Sequence, residues 1–375
     1  MSDASPRAGT ARLTVAHVDA ERGFSGGEVQ VRLLMRGLAQ RGYHNVLIAP
    51  PAAALARAAA DDGIAVRAVP LRSDLDVLAI VRLLRVFRAE RIQLVHLHTG
   101  RAAWLGGLAA GIAGLPAVIT RRMDRRVTAG WRTRRIYIAS RRRVAALSPA
   151  IAAQLVAGGV PAPRIAVIPS AVDPTRIAPR RAAAEVRRAE SAGAADVVLL
   201  AAAALVRRKG IDVLLDALAA LRARDLHPRL WIAGDGPERA ALCAQASALA
   251  LEDRVRWLGR RDDVGDLLAA CDVFVLPSRA EGLGVAALEA MAAARPVVAS
   301  AVGGLADAVV DGRTGLLVEP ADPVALAVAL SQLLYDPALR ARLGAAGPAR
   351  IAEGYLPEQM VASYERLYAS VLAGA

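Results

Sequence analysis

Short apolar segments alternate with longer Ala- and Leu-rich stretches along nearly the whole chain, and this alternation constrains the fold more than any other feature. In the first half, Leu13–Val18, Asn45–Ala49, Ala65–Pro70, Leu94–His98, Ala117–Thr120 and Val144–Leu147 read as strands. In the second, Val197–Ala203, Arg229–Ala233, Val255–Leu258, Val273–Leu276, Val297–Ala299 and Gly315–Val318 do so. Helical periodicity fills the intervals, as in Leu75–Glu90, where Leu78, Val81, Leu84 and Val86 are expected to face a core. Repeated strand–helix–strand winding makes parallel sheets, because a parallel neighbour is reached only through a crossover. Proline and turn residues gather between Pro161 and Pro179, and the charged stretch Arg180–Ala192 reads as a helix. A boundary is therefore expected near 175–195, in a chain of 375 residues with room for two α/β domains. The tail, Pro357–Leu372, reads as one amphipathic helix.

Residues 277–304 carry the clearest chemistry. Glu281 and Glu289 stand eight positions apart in an almost uncharged segment. Glu281 falls in the loop after a strand, and Glu289 about one and a half turns into the next helix. Ligands of open α/β sheets bind at that edge. The Gly282-Leu283-Gly284 turn opens the helix, where orphan amides and a positive dipole end suit a phosphate. Carboxylates accept hydrogen bonds from hydroxyls, so a phosphate seat beside two of them points to a nucleotide sugar. Lys209 is the only lysine among 48 basic residues, and it also follows an apolar strand, in a loop where an ammonium can pair with phosphate.

Charge is uneven. Residues 1–180 hold 27 arginines against 11 acidic groups, whereas residues 181–375 hold 21 basic against 24 acidic. The excess peaks between Arg121 and Arg143, a surface expected to attract anionic headgroups or a phosphorylated acceptor. Two cysteines, Cys243 and Cys271, make no disulfide framework. The uncharged run Ala102–Thr120 is interrupted at Gly114 and Pro116, so it reads as a buried helix and strand rather than a membrane span. The polar start, Met1–Thr10, lacks an apolar signal core, and a cytoplasmic protein is expected, peripheral on the inner face of the cytoplasmic membrane.

In order and spacing, several motifs resemble the retaining nucleotide-sugar glycosyltransferases of family 4. They are Arg208-Lys209-Gly210, Ala233–Glu238, Glu281 to Glu289, Gly303-Gly304 and Asp311–Val318. The resemblance implies a GT-B fold: two Rossmann-like, doubly wound parallel-sheet domains facing a central cleft. The divisions expected are 1–178 on the acceptor side, 190–355 for the nucleotide sugar, and a final helix at 356–375 returning towards the first domain. It also implies donor-binding roles for Glu289, Lys209, Arg208, Gly282, Leu283, Gly284, Gly26 and Gly27. Glu281 and Lys209 would act at the reacting sugar and diphosphate, with His98 a further catalytic candidate. His17 and Asp19, at the end of the first strand, are comparable cleft candidates. Arg121, Arg122, Arg125 and Arg126 are assigned to an acceptor or membrane surface.

No cofactor or metal is expected, since fixed positive charge would stabilise the leaving group and no Asp-x-Asp arrangement or His/Cys cluster of metal-ligand type is read in the sequence. Two departures stand out. Ala203-Ala204-Leu205 lacks an arginine that relatives often place before the lysine loop, for which Arg207 or Arg208 is a candidate substitute. Thr120-Arg121-Arg122 stands where many relatives have Thr-x-His. The partners implied are a nucleoside-diphosphate sugar, an anionic glycolipid or saccharide acceptor and an anionic membrane. Two competing readings are a sugar-nucleotide epimerase and a nucleic-acid-binding protein using the basic half. Against the second stand an aromatic content of 3% and the absence of a recognisable binding module.

Overall fold

The computed structural model describes residues 13–123, 127–138 and 142–374. Its first sheet contains β1 (Thr14–Val18), β2 (His44–Ala49), β3 (Ala65–Ala68), β4 (Leu94–Leu97), β5 (Ala117–Arg121), β6 (Arg142–Ala146) and β7 (Ile165–Val167), in the order β3-β2-β1-β4-β5-β6-β7. The second contains β8 (Val198–Ala202), β9 (Arg229–Ala233), β10 (Val255–Gly259), β11 (Val273–Leu276), β12 (Val297–Ser300) and β13 (Gly315–Val318), in the order β10-β9-β8-β11-β12-β13. Every strand pair is parallel. The chain thus winds outward from β1, returns to begin again at β4, and repeats the manoeuvre at β8 and β11. These reversals open a crevice at the carboxyl ends of the flanking strands. Asp19 and His98 follow the first pair of strands. The lysine and Glu281 loops follow the second.

Several local expectations are corrected. The helix expected at Leu75–Glu90 spans Val77–Ala89, and Ala79, Leu83 and Phe87 form its buried stripe. Leu78 and Val81 are instead 64% and 39% exposed, whereas Leu84 and Val86 are half-buried and pack against the core as expected. This segment is apolar on more than one side, so periodicity offered several stripes; packing on the helix Gly100–Ile112 selected the one at i, i+4 and i+8. The helix expected at Arg180–Ala192 shrinks to Ala183–Ala189. Asp266 accepts the backbone N–H groups of Arg180 and Arg181 at 2.5 and 3.1 Å, holding the chain before it in another conformation. The short strand β7 and the helix Ala54–Asp61 carried too little pattern to be foreseen. The run Ala102–Thr120 divides between the helix Gly100–Ile112 and β5, and no helix among the described residues is long and apolar enough to cross a membrane.

The final helix, Pro357–Ala373, lies against the first sheet and the helix Gly26–Gln40. Its Tyr364 and Tyr368 are buried, and their hydroxyls meet Thr120 Oγ1 at 2.9 Å and His96 Nδ1 at 2.7 Å. A buried phenol needs such a partner, so these two bonds fix the helix's register as well as its position.

Candidate functional site

Close backbone packing joins the lysine loop to the Glu281 loop. Lys209 ends a single 3-10 turn, Arg207–Lys209, in the loop that follows β8. The next residue, Gly210, has φ 67°, and a Cβ there would lie 1.9 Å from the Pro277 carbonyl oxygen. Only glycine allows both the conformation and the approach. Arg279 then fastens the loops, its amide donating to the Arg208 carbonyl at 2.8 Å and its guanidinium gripping both Asp212 oxygens at 2.6 Å. Consequently the Lys209 ammonium meets the Glu281 carboxylate in a largely buried ion pair, with Arg208 3.9 Å away and more exposed. Ser278 Oγ also donates to Glu281, at 3.3 Å.

Gly282, Leu283 and Gly284 turn the chain into the helix Val285–Ala292, on which Glu289 is buried. Burial pushes the Glu289 carboxyl above its usual range, opposed by the guanidinium of Arg176. Arg176 Nε donates to Glu289 Oε1 at 2.8 Å. Sequence reading gives Arg176 no role, because its residence in the short helix Pro174–Ile177, 113 positions before Glu289, carries no signal.

The opposite wall comes from the first sheet. Ser25 and Glu28 form a capping box at the helix Gly26–Gln40, with the Glu28 carboxylate accepting the Ser25 N–H at 2.6 Å. Gly26 and Gly27 are the first helical residues, so their amides head the helix. Asp19 follows β1 and is buried, which pushes its carboxyl up to about 7 even though the Glu21 amide donates to it.

His17, His96 and His98 are all buried and lie together, a cluster that the separate segments did not reveal. Their bonds can be oriented. Asn45 Nδ2 donates to the Met35 carbonyl at 3.1 Å, leaving Asn45 Oδ1 to accept from His17 Nε2 at 3.0 Å. His17 Nδ1 is then the acceptor for His98 Nε2, also at 3.0 Å. His98 Nδ1 in turn carries a lone pair and receives Arg122 Nη2 at 3.4 Å. His96 meets Tyr368 on one nitrogen and Thr120 on the other, each at 2.7 Å. Desolvation holds all three rings below the ordinary imidazole range, His17 to about 4. Each ring offers a nitrogen within 4.8 Å of the others, a grouping of metal-ligand type that the sequence reading did not expect, and ring nitrogens of all three are engaged in the hydrogen bonds just described.

Contrary to the expectation that the chain holds no Asp-x-Asp arrangement, Asp74-Leu75-Asp76 is one, away from the lysine and Glu281 loops. Its carboxylates have other partners: Asp76 caps the helix Val77–Ala89 and Asp74 accepts from Arg132 at 2.7 Å.

The basic stretch is not one solvated face. Arg142 is buried, donating to the Gly107 and Ile136 carbonyls at 2.5 and 2.7 Å, while Arg121 donates to Tyr137 at 3.2 Å. Arg132, Arg134 and Arg135 are exposed beside Trp131. Arg122 is half-buried, with its guanidinium 3.4 Å from His98. Arg125 and Arg126 lie outside the described residues.

Residues 184–350 match the model of the glycosyl transferases group 1, and residues 24–176 that of glycosyltransferase family 4. The chain is similar to N-acetyl-alpha-D-glucosaminyl L-malate synthase of Bacillus anthracis, 36% identical over 40% of this chain and 39% of that protein. It is also similar to the lipopolysaccharide core biosynthesis glycosyltransferase LpsE of Rhizobium meliloti, 37% identical over 46% of this chain and 50% of that protein. The chain thus spans about half or less of these curated relatives' length. Among solved structures, Anabaena HepE in complex with UDP-glucose superposes with a TM-score of 0.85 at 22% identity, covering 96% of this chain and all of that one. At that identity the likeness shows the fold, a GT-B arrangement of two Rossmann-like domains.

Proposed function

This chain belongs to the family 4 glycosyltransferases, and from that premise we propose that it transfers a sugar from a nucleoside diphosphate to an acceptor hydroxyl with retention of configuration. The acceptor is an envelope glycolipid or polysaccharide precursor. The observation that carries this reading is the Lys209–Glu281 pair, set beside the Gly282–Gly284 turn with buried Glu289 on the helix beyond. An ammonium has three N–H donors, so Lys209 can hold Glu281 and still donate to a diphosphate. The glycine turn adds amides, and Glu289 offers its carboxylate to ribose hydroxyls, with Arg176 fixing its orientation. Glu281 holds hydroxyls of the transferred sugar.

In the proposed step the bond from the anomeric carbon to the phosphate oxygen breaks. The acceptor oxygen bonds to that carbon on the same face, and its proton passes to the departing phosphate oxygen. Lys209 and the fixed amides stabilise the charge that develops there. No residue is required to serve as a base.

The acceptor side supports an amphiphilic partner at an anionic membrane. Trp131, 68% exposed, packs edge-on against Trp104 at 5.6 Å between ring centroids, and Leu75 is 88% exposed on the chain next to both. Arg132 stacks over the Trp104 ring at 5.2 Å, and Arg134 and Arg135 are exposed a few residues further along the chain. Such a combination suits an anionic bilayer, with aromatic rings at the interface and cations at the headgroups.

A panel of UDP-, GDP- and ADP-sugars tests the proposal. One donor should raise the melting temperature by linkage and support transfer that persists in excess chelator. Adding anionic vesicles should recruit the protein, less so as salt rises, because exposed charges are screened over about 8 Å at physiological ionic strength. A melting temperature unmoved by every donor would remove the donor site. Epimerised donor formed without acceptor would favour the epimerase, and equal partitioning onto neutral vesicles would remove the membrane.

A further inference from the structure

We propose that Arg122 is a donor-site cation supplied across the cleft by the acceptor-side domain, in place of the arginine missing at Ala203-Ala204-Leu205. This inference rests on the donor-cleft reading given above and adds to it a residue, a direction of approach and a steering chain. It also moves Arg122 away from the acceptor or membrane surface to which the sequence assigns it.

Arg122 lies between the two glycine turns. Its carbonyl oxygen sits over Gly282, where an added Cβ would come within 2.2 Å of it, so the first residue of the phosphate turn is packed on Arg122 itself. Its side chain runs the other way, with Cδ 3.7 Å from the Cβ position of Gly27 at the head of the helix Gly26–Gln40. The guanidinium then reaches His98 at 3.4 Å. Among the described residues, no carboxylate lies in ion-pair contact with it, the buried Asp19 acting on it only through space, whereas Lys209, Arg176 and Arg279 each hold one directly.

That placement is electrostatically incomplete. A helix head repels cations and attracts anions, and Glu28, the one acidic side chain of its first turn, is turned back onto Ser25. A guanidinium laid against such a head, facing an amide-rich turn, is completed by an anion between them. The described C-domain loops present Lys209, and their next cation, Arg208, has a side chain 57% exposed. A diphosphate in the process of leaving gains a second half-buried cation from Arg122, with a planar fork matched to phosphate oxygens.

The histidine chain explains how Arg122 is held without a carboxylate in direct contact. The oriented bonds run from Arg122 to His98, from His98 to His17 and from His17 to Asn45. Each ring is neutral, so His98 presents a lone pair to the guanidinium and leaves its charge available to ligand. A carboxylate in that place would neutralise the cation. His98 is therefore a positioning residue.

The test compares nucleoside diphosphates with monophosphates. UDP, GDP and ADP, and UMP, GMP and AMP, are titrated calorimetrically into wild type, Arg122→Ala and Arg122→Lys. Alanine should weaken diphosphate binding about 10- to 100-fold, the range for loss of charge-assisted hydrogen bonds, and change monophosphate binding far less. Lysine should recover part of the loss. If the alanine variant does not fold, the diphosphate-to-monophosphate ratio in the lysine variant still reads the lost fork and should fall. A ratio unchanged in the folded variants, with wild type binding diphosphate, overturns the role of Arg122 and leaves the donor cleft standing. Failure of wild type to bind any of the three diphosphates overturns the cleft reading and this inference together.

Discussion

Replacing Lys209 by alanine should slow transfer by roughly 2–4 kcal/mol of transition-state stabilisation, the amount associated with removing one fixed electrostatic partner of developing charge. The lysine is placed by the Gly210–Pro277 approach and held by Glu281, so it is oriented before ligand arrives. Its removal also leaves Glu281, largely buried, without its ammonium partner, and part of the effect should appear as mispositioned sugar hydroxyls. Lys209→Arg should recover only a fraction, since a planar fork cannot occupy the same point. Glu289→Gln should differ in kind: nucleoside diphosphate affinity falls by roughly 1–3 kcal/mol, because the charge-assisted hydrogen bond that this change weakens is made to the ribose. Steady-state rates and diphosphate titrations on the three variants separate these effects. Alanine at 209 with near-normal kcat/KM would remove the lysine from the chemistry.

Acidification should destabilise the fold through the buried histidines. Because His17 is held down to about 4, the native state binds fewer protons than the unfolded chain between about pH 4 and pH 6.5. Stability from this group is complete above the unfolded value and is lost as pH falls through that window, about 3 kcal/mol for His17 alone. His96 and His98 act in the same direction, with Arg122 facing them from the cleft and the Tyr364 and Tyr368 hydroxyls from the final helix. Asp19 opposes them. Its carboxyl is pushed up to about 7, so its contribution is present in acid and is lost as pH rises from about 4 to about 7. Wild-type melting temperature should therefore fall from pH 7 to pH 5, and more steeply in Asp19→Asn, where the opposing titration is gone. His17→Gln should flatten the profile. A wild-type profile that rises towards pH 5, or an unchanged slope in Asp19→Asn, would contradict this account of the cluster.

Much of this molecule is legible in its sequence, and the limits of that legibility have identifiable causes. The winding of both sheets follows from strand-length apolar runs separated by helical ones. The loops of Glu281 and Lys209 follow from turn residues at strand ends, a local pattern. Arg176 escapes such reading because its partner Glu289 lies on a helix 113 residues away. The helix Val77–Ala89 buries a face that only partly coincides with the one its periodicity suggests, because its sequence is apolar on more than one side and only the neighbouring helix distinguishes them. The Asp-x-Asp at Asp74 shows the converse: a motif visible in sequence whose carboxylates are already engaged as a cap and an ion pair.

What the sequence alone determined is therefore the local grammar: strands, crossovers, the glycine turns and the residue types that suit a phosphate and hydroxyls. Hydrophobic periodicity and turn chemistry act over a few residues, so they can be read from a few residues. The tertiary structure decided which distant groups share an environment. It brought His17, Asn45, His98 and Arg122 into one oriented chain, buried Arg142 inside a stretch that otherwise reads as a charged surface, and set Arg122 over Gly282. Charge state and hydrogen-bond direction depend on desolvation and on partners far away in sequence, and these exist only once the two sheets have closed around them.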